Sequence, residues 1–204
     1  GRFVLFVSGM QLCVNIASPF FSVFMLKDLK FNYITYTIIT STVMAIQILT
    51  ISRWGRIADK VGNIRVLKFT ALLISSLPLW WLISHNPVYL FFAQVLSGFA
   101  WSGFNLCTAN FILDAVTPQK RIRCIAYMGV FVGLAVFCGG IIGGNLANIL
   151  PNIFGYRILT LFLIASMLRF SAVFLLATKI REVRAVEALS IKEIVFSVVG
   201  IRPI

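Results

Sequence analysis

Six apolar stretches divide this chain, at approximately 3–26, 33–52, 66–84, 88–113, 124–149 and 157–178, with short polar gaps between them. Each is near the roughly 20 residues that an α-helix needs to cross the hydrocarbon core of a bilayer. Backbone N–H and C=O groups find no water in lipid, so each stretch must satisfy its own hydrogen bonds, and the pattern predicts helices. A barrel would need alternating segments of about ten residues, and these runs are far longer. The expected fold class is therefore an all-α membrane protein. A six-helix transmembrane bundle should fill residues 1–180, with residues 181–204 forming a cytoplasmic tail. Within that tail, Ser190-Ile-Lys-Glu193 has the spacing of a capping box that could open a short interfacial helix through Ser197.

The spacing also repeats. Spans four, five and six begin about 85, 91 and 91 residues after spans one, two and three. Three spans per unit is an odd number, so the second unit must enter the membrane upside down relative to the first. Two inverted three-helix repeats are a recurring construction in secondary transporters. Composition agrees with a lipid solvent: 60 % of residues are hydrophobic, 12 % are charged, and mean hydropathy is +0.97. A soluble fold of 204 residues would be left with a mostly apolar surface.

Charge adds an orientation. The 18 basic and 6 acidic residues give a net +12, which in a soluble protein would raise nucleic acid as a partner. Nearly all of these charges lie in the gaps between apolar runs, a pattern that fits anionic headgroups and cytoplasmic loops instead. Arg2, the 53–68 loop, the 120–123 loop and the 179–202 segment carry fourteen of the basic residues, all on one side. Only Lys27, Lys30 and Arg157 fall on the other. The positive-inside rule makes the crowded side cytoplasmic, and six crossings put both chain ends there, in a multi-pass protein of a cell or inner membrane. Cys13, Cys107, Cys124 and Cys138 sit in or beside apolar runs without metal-like spacing, so neither a metal nor any other cofactor is expected. Gly1 stands where an initiator Met would, and no signal-peptide pattern follows, so the N-terminus is expected to be truncated.

The loop between spans two and three reads Gly55-Arg-Ile-Ala-Asp59-Lys60-Val-Gly62-Asn-Ile-Arg65. Gly55 can let helix ends approach closely, and Gly62 permits a left-handed or tight turn. Asp59 can cap or pair with the positive end of a neighbouring helix. Arg56, Lys60 and Arg65 can hold the loop at the headgroups or pair with carboxylates. This loop is similar to the cytoplasmic signature of the major facilitator superfamily, departing from it at Asn63 and Ile64, where basic residues are common. Span four ends in Asp114-Ala-Val-Thr-Pro-Gln-Lys-Arg121, which resembles an acidic-to-arginine element of sugar-porter-like members. An acid at the membrane boundary is costly unless paired, so Asp114 with Arg121, Arg56 or Arg65 could form a cytoplasmic latch that breaks on inward opening. A boundary acid neutralised by nearby Lys120 and Arg121 is the plainer alternative. On span five, Gly139-Gly140-Ile-Ile-Gly143-Gly144 looks like an antiporter motif but carries Gly140 in place of its proline, and close helix packing is the expected role.

The resemblance implies an alternating-access transporter of a small molecule, of which this chain is one six-helix half. The polar tail favours the C-terminal half, whose partner is the missing N-terminal one. It further implies that spans one, two, four and five line a central cavity. Candidates for that lining are Gln11, Asn15, Gln47, Trp101, Asn105 and Asn110, since amides in hydrocarbon need a wet cavity, a ligand or a neighbouring helix. Arg169 lies mid-span in the sixth run, with Ala165, Ser166 and Ala172 on its face, and should point into protein. A structural or gating pair and an anion-binding role both remain open for it. His85, in the Ser84–Pro87 turn, is expected to be solvated. No HExxH, GxSxG or paired intramembrane acids are present, so an enzyme is not expected. A channel subunit or a non-transporting scaffold stands as the alternative.

Overall fold

The computed structural model describes residues 1–153 and 155–180, and the 181–204 tail with its capping-box sequence lies outside them. Among the described residues there is no strand. Six α-helices follow one another: α1 (Arg2–Val23), α2 (Tyr33–Val61), α3 (Asn63–Ile83), α4 (Pro87–Ala115), α5 (Pro118–Ile149) and α6 (Arg157–Leu176). A π-helical turn, Phe24–Asp28, extends α1, and a 3-10 turn, Ala177–Lys179, extends α6. All six helices are long and apolar enough to cross a membrane.

Local chemistry sets the starts. The Asn32 side chain accepts a bond from the Thr35 N–H at 2.7 Å, and Asn86 accepts one from Val88 at 2.9 Å. Each amide oxygen satisfies one of the orphan donors of a helix N-terminus. Pro87 and Pro118 occupy the first turns of α4 and α5, where a missing N–H costs nothing. Helix does not stop where the apolar run stops. α2 continues through Arg53, Arg56 and Lys60 to Val61, and α5 begins at Pro118, ahead of its apolar run. Outside the hydrocarbon, water and headgroups solvate the side chains while the backbone ladder continues unchanged.

The packing scheme carries the inverted repeat. α1 packs along α5 and α6, α4 packs along α2 and α3, and α3 and α6 pack on each other. Exchanging α1 with α4, α2 with α5 and α3 with α6 returns this same set of main neighbours. Glycines permit the two longest contacts, but from opposite partners. A Cβ on Gly98 or Gly103 of α4 would stand 2.6 Å from the Val43 carbonyl oxygen or 2.8 Å from the Trp54 ring of α2. In the other repeat the glycines belong to α5: a Cβ on Gly139 would stand 2.5 Å from the Leu12 carbonyl oxygen of α1, and one on Gly143 would fall on that of Ile16. The duplication is thus kept in backbone geometry while the residues that permit it have changed sides.

Two apolar clusters form the core. One, toward the Gly62 end, is built on Phe6, Trp54, Leu67 and Phe104, and the other, toward the opposite end, on Ile16, Phe24, Trp81 and Phe162. Between them lies a polar level. Ser166 Oγ donates to the Ser75 carbonyl at 2.6 Å, and Arg169 reaches carbonyls on α1 and α3. In α2 and α5 only 17 % and 11 % of the most apolar stretch is buried inside the bundle, against 39 % or more in the other four helices. Those two helices present the open sides.

Candidate functional site

Two places gather the polar side chains: the junction at the Gly62 end and a cavity toward the opposite end. At the junction a single residue separates α2 from α3. Gly62 has φ +98° and ψ 147°, a conformation that a side chain disfavours, and its N–H bonds to the Ala58 carbonyl at 2.9 Å. The next residue, Asn63, is buried and donates from Nδ2 to Asp114 Oδ2 at 2.8 Å. A carboxylate from the end of α4 is thereby held beside the first residue of α3, where the helix dipole favours negative charge. Asn63 stands at one of the two positions where the loop departs from the signature it resembles, and it bonds the start of α3 to the end of α4.

Arg121 does something other than pair with Asp114. Its guanidinium donates to the Leu113 carbonyl at 3.0 Å and, from Nε, to that of Val116 at 3.4 Å, capping the end of α4. A cation at a helix C-terminus complements the dipole and satisfies orphan carbonyls, which a surface ion pair would not do. Arg56 is exposed, while Asp59, Lys60 and Arg65 all have partners. Gly55 has room to spare, since an added Cβ would meet only Leu106 Cδ2 at 3.9 Å. Gly62→Ala should therefore cost about 1–3 kcal/mol, the strain of a side chain in that backbone region. Gly55→Ala should cost nothing comparable, and thermal unfolding of the two variants in detergent checks the contrast.

The cavity lies between α1 and α4. At the Gly62 end these helices meet through rings: Phe3 stacks on Phe111 with centroids 4.1 Å apart, and Phe6 lies 6.5 Å from Phe104. Toward the other end they part around a cavity of about 200 Å³. Its polar lining comes from Ser18 and Ser22 on α1, Thr40 on α2, and Gln94 and Ser97 on α4, with Arg169 reaching in from α6. Trp81, Trp101 and Phe21 supply flat apolar surface.

The sequence candidates are distributed unevenly around it. Trp101 and Arg169 line the cavity, whereas Gln11, Asn15, Gln47, Asn105 and Asn110 do not. Asn15 Nδ2 bonds back along its own helix to the Gln11 carbonyl at 2.8 Å, and its Cβ lies where α5 crosses. Gln47 takes part through its backbone, accepting from Ser102 Oγ at 3.0 Å, while Asn105 is exposed and Asn110 half-buried. Amides are the obvious polar residues in an apolar run, so hydroxyls are easily passed over. Ser18 with Ser22 at four-residue spacing, and Gln94, Ser97 and Trp101 at three and four, carried the signal in helical periodicity.

Gly139 and Gly143 form the α1 crossing, but Gly140 and Gly144 meet nothing within 4 Å among the described residues. Only one face of the glycine run packs inside this bundle. His85 is also not free in solvent: its ring lies edge-on to Phe24 at 5.4 Å and to Tyr156 at 5.8 Å. The aromatic cluster at that end draws the imidazole in.

Arg169 points into protein and is 2 % exposed. Its NH1 donates to the Ile74 carbonyl at 3.1 Å and its NH2 to that of Val14 at 3.2 Å. The first acceptor has a local cause. Pro78 sits inside α3 and has no N–H for the carbonyl four residues earlier, which is that of Ile74. The arginine supplies the donor that the proline lacks. Pro19 also lies inside α1, but the carbonyl it leaves without a donor is that of Asn15, so the bond to Val14 has no such local cause.

Comparison with known proteins follows this geometry. A family model described as Major Facilitator Superfamily matches residues 3–202. An uncharacterized protein, YqgE, of Bacillus subtilis (strain 168) is 24 % identical over 180 residues, covering 82 % of this chain. The chain spans 41 % of that relative's length.

Proposed function

The chain belongs to the major facilitator superfamily, and from that premise we propose that it forms one six-helix half of an alternating-access transporter of a small molecule. It is a multi-pass integral membrane protein, and the reading adds a second six-helix bundle as its partner. The observation that carries the proposal is the wedge between α1 and α4, closed by phenylalanines at one end and parted by a polar-lined cavity at the other. A site open toward one end and sealed at the other is what a carrier needs in each of its two states. The Gly62–Asn63–Asp114 junction lies at the sealed end, within this bundle. The open sides of α2 and α5, with Gly140 and Gly144 bare, are where the second bundle would sit. The basic residues of this chain's loops support a cytoplasmic side for that sealed end.

Transport is tested by counterflow. Proteoliposomes holding the whole protein and loaded with unlabelled solute should draw labelled solute inward against its gradient, and uptake should saturate. A scaffold shows neither behaviour, and a channel leaks without counterflow. Orientation has a separate test. A single cysteine replacing Lys60, in a background freed of the native cysteines, should resist a membrane-impermeant maleimide applied to intact cells and react once they are opened.

A further inference from the structure

Arg169 is a full positive charge held inside the bundle with too few partners. Guanidinium carries five N–H donors in a planar fork, and the two carbonyl bonds account for two of them. Nε is buried and meets no acceptor. Carbonyl oxygens share a proton but do not neutralise a charge, and a buried charge is costly until an opposite one meets it. Among the described residues the carboxylates are Asp28, Asp59 and Asp114, all near helix ends, and none pairs with Arg169. The guanidinium nonetheless borders the cavity between α1 and α4.

We infer that this cavity is a binding site for a small organic carboxylate, with the Arg169 fork as its anion receptor. A carboxylate has two oxygens at the spacing of two guanidinium N–H groups, and such bidentate pairs are among the stronger hydrogen-bonded contacts in proteins. The remaining lining describes the rest of the ligand. Ser18, Ser22, Thr40, Gln94 and Ser97 offer hydroxyl and amide partners, while Trp81 and Trp101 offer flat apolar surface. At about 200 Å³ the space admits a short hydroxy- or oxo-acid. The site is continuous with the wedge of the transport reading, and the inference rests on that reading only in making the carboxylate a transported substrate.

Binding is read without transport. Trp81 and Trp101 border the site, so tryptophan emission of the purified whole protein in detergent can be titrated with sodium lactate, pyruvate, butyrate and benzoate. Lactamide and sodium chloride at matched ionic strength are the references. At least one carboxylate should give a saturable change that lactamide and chloride do not. Arg169→Lys should weaken it about tenfold, since a point charge replaces the fork, and Arg169→Gln should remove it. Arg121→Gln, in the first turn of α5 and away from the cavity, should leave it unchanged. Gln94→Leu keeps both carbonyl bonds of Arg169 and should still weaken binding several-fold, which covers the case in which Arg169→Gln does not fold. An equal response to lactamide or chloride, no response to any carboxylate, or undiminished binding in Arg169→Gln would each reduce Arg169 to a cross-link between α1 and α3. Carboxylate binding without counterflow overturns the transport reading and keeps the site; counterflow without Arg169-dependent binding does the reverse.

Discussion

Gly143→Ala is expected to cost about 3 kcal/mol or more, and Gly143→Leu to leave no monodisperse folded protein. The reason lies in what the new atom meets. A Cβ at Gly143 would fall on the Ile16 carbonyl oxygen, with the Ile16 Cα only 3.1 Å away. Both are backbone atoms of α1, so no rotamer change can make room, and the helices must separate. Separation is expensive here because lipid gives little hydrophobic drive to helix association. The α1–α5 contact rests on close van der Waals packing, which falls off steeply over the first ångström of a gap. Gly55→Ala is the control. Its Cβ would meet only Leu106 Cδ2 at 3.9 Å, and alanine is the better helix former by about 1 kcal/mol, so it should hold stability or raise it slightly. Thermal unfolding followed by size-exclusion in detergent reads both, and equal behaviour would show that the α1–α5 crossing does not depend on the missing side chain.

Trp54→Ala should cost about 3–5 kcal/mol, the range for removing a large aromatic from a closed core. Trp54 is fully buried on α2, with its ring centroid 4.8 Å from that of Phe99 and 6.2 Å from that of Phe69. Its Nε1–H donates to the Phe99 carbonyl at 2.9 Å. The α4 backbone comes close at Gly103, where an added Cβ would stand 2.8 Å from the indole. Gly103 leaves space that Trp54 fills, so truncating one strands the other across a void. Trp54→Phe separates the two contributions. It retains much of the ring and loses the hydrogen bond, and should cost about 1 kcal/mol for the bond plus a part of the packing. If the alanine variant unfolded no more easily than the phenylalanine one, the packing argument for the α2–α4 contact would fail.

Much of the site was hidden in the sequence for one reason. A helix surrounded by lipid and by other apolar helices is hydrophobic on every side, so periodicity does not mark the face that packs. That is why Gly139 and Gly143 could not be told from Gly140 and Gly144, and why Gly98, Gly103 and Trp54 drew no notice. Arg169 was legible as far as its direction, because Ala165, Ser166 and Ala172 share its face. Its partners were not, since the Ile74 carbonyl is exposed by Pro78 on a helix far away in the chain. The loop before α3 was singled out in the sequence, yet Asn63 is the residue that bonds to Asp114, and Arg121, on α5, turns to the carbonyls at the end of α4 instead.

Taken alone, the order of residues determined that there are six membrane helices, that they form an all-α membrane fold of inverted triplets, and which family loop joins α2 to α3. These features follow from chain-local physics: the bilayer dictates helix, its thickness dictates length, and an odd number of spans dictates inversion. Tertiary structure decided which small residues lie at the crossings, where α1 and α4 part, and that a lone arginine stands between two core clusters beside a cavity. Such outcomes depend on distances between helices of uniform polarity, and a one-dimensional pattern of apolar residues holds no record of them.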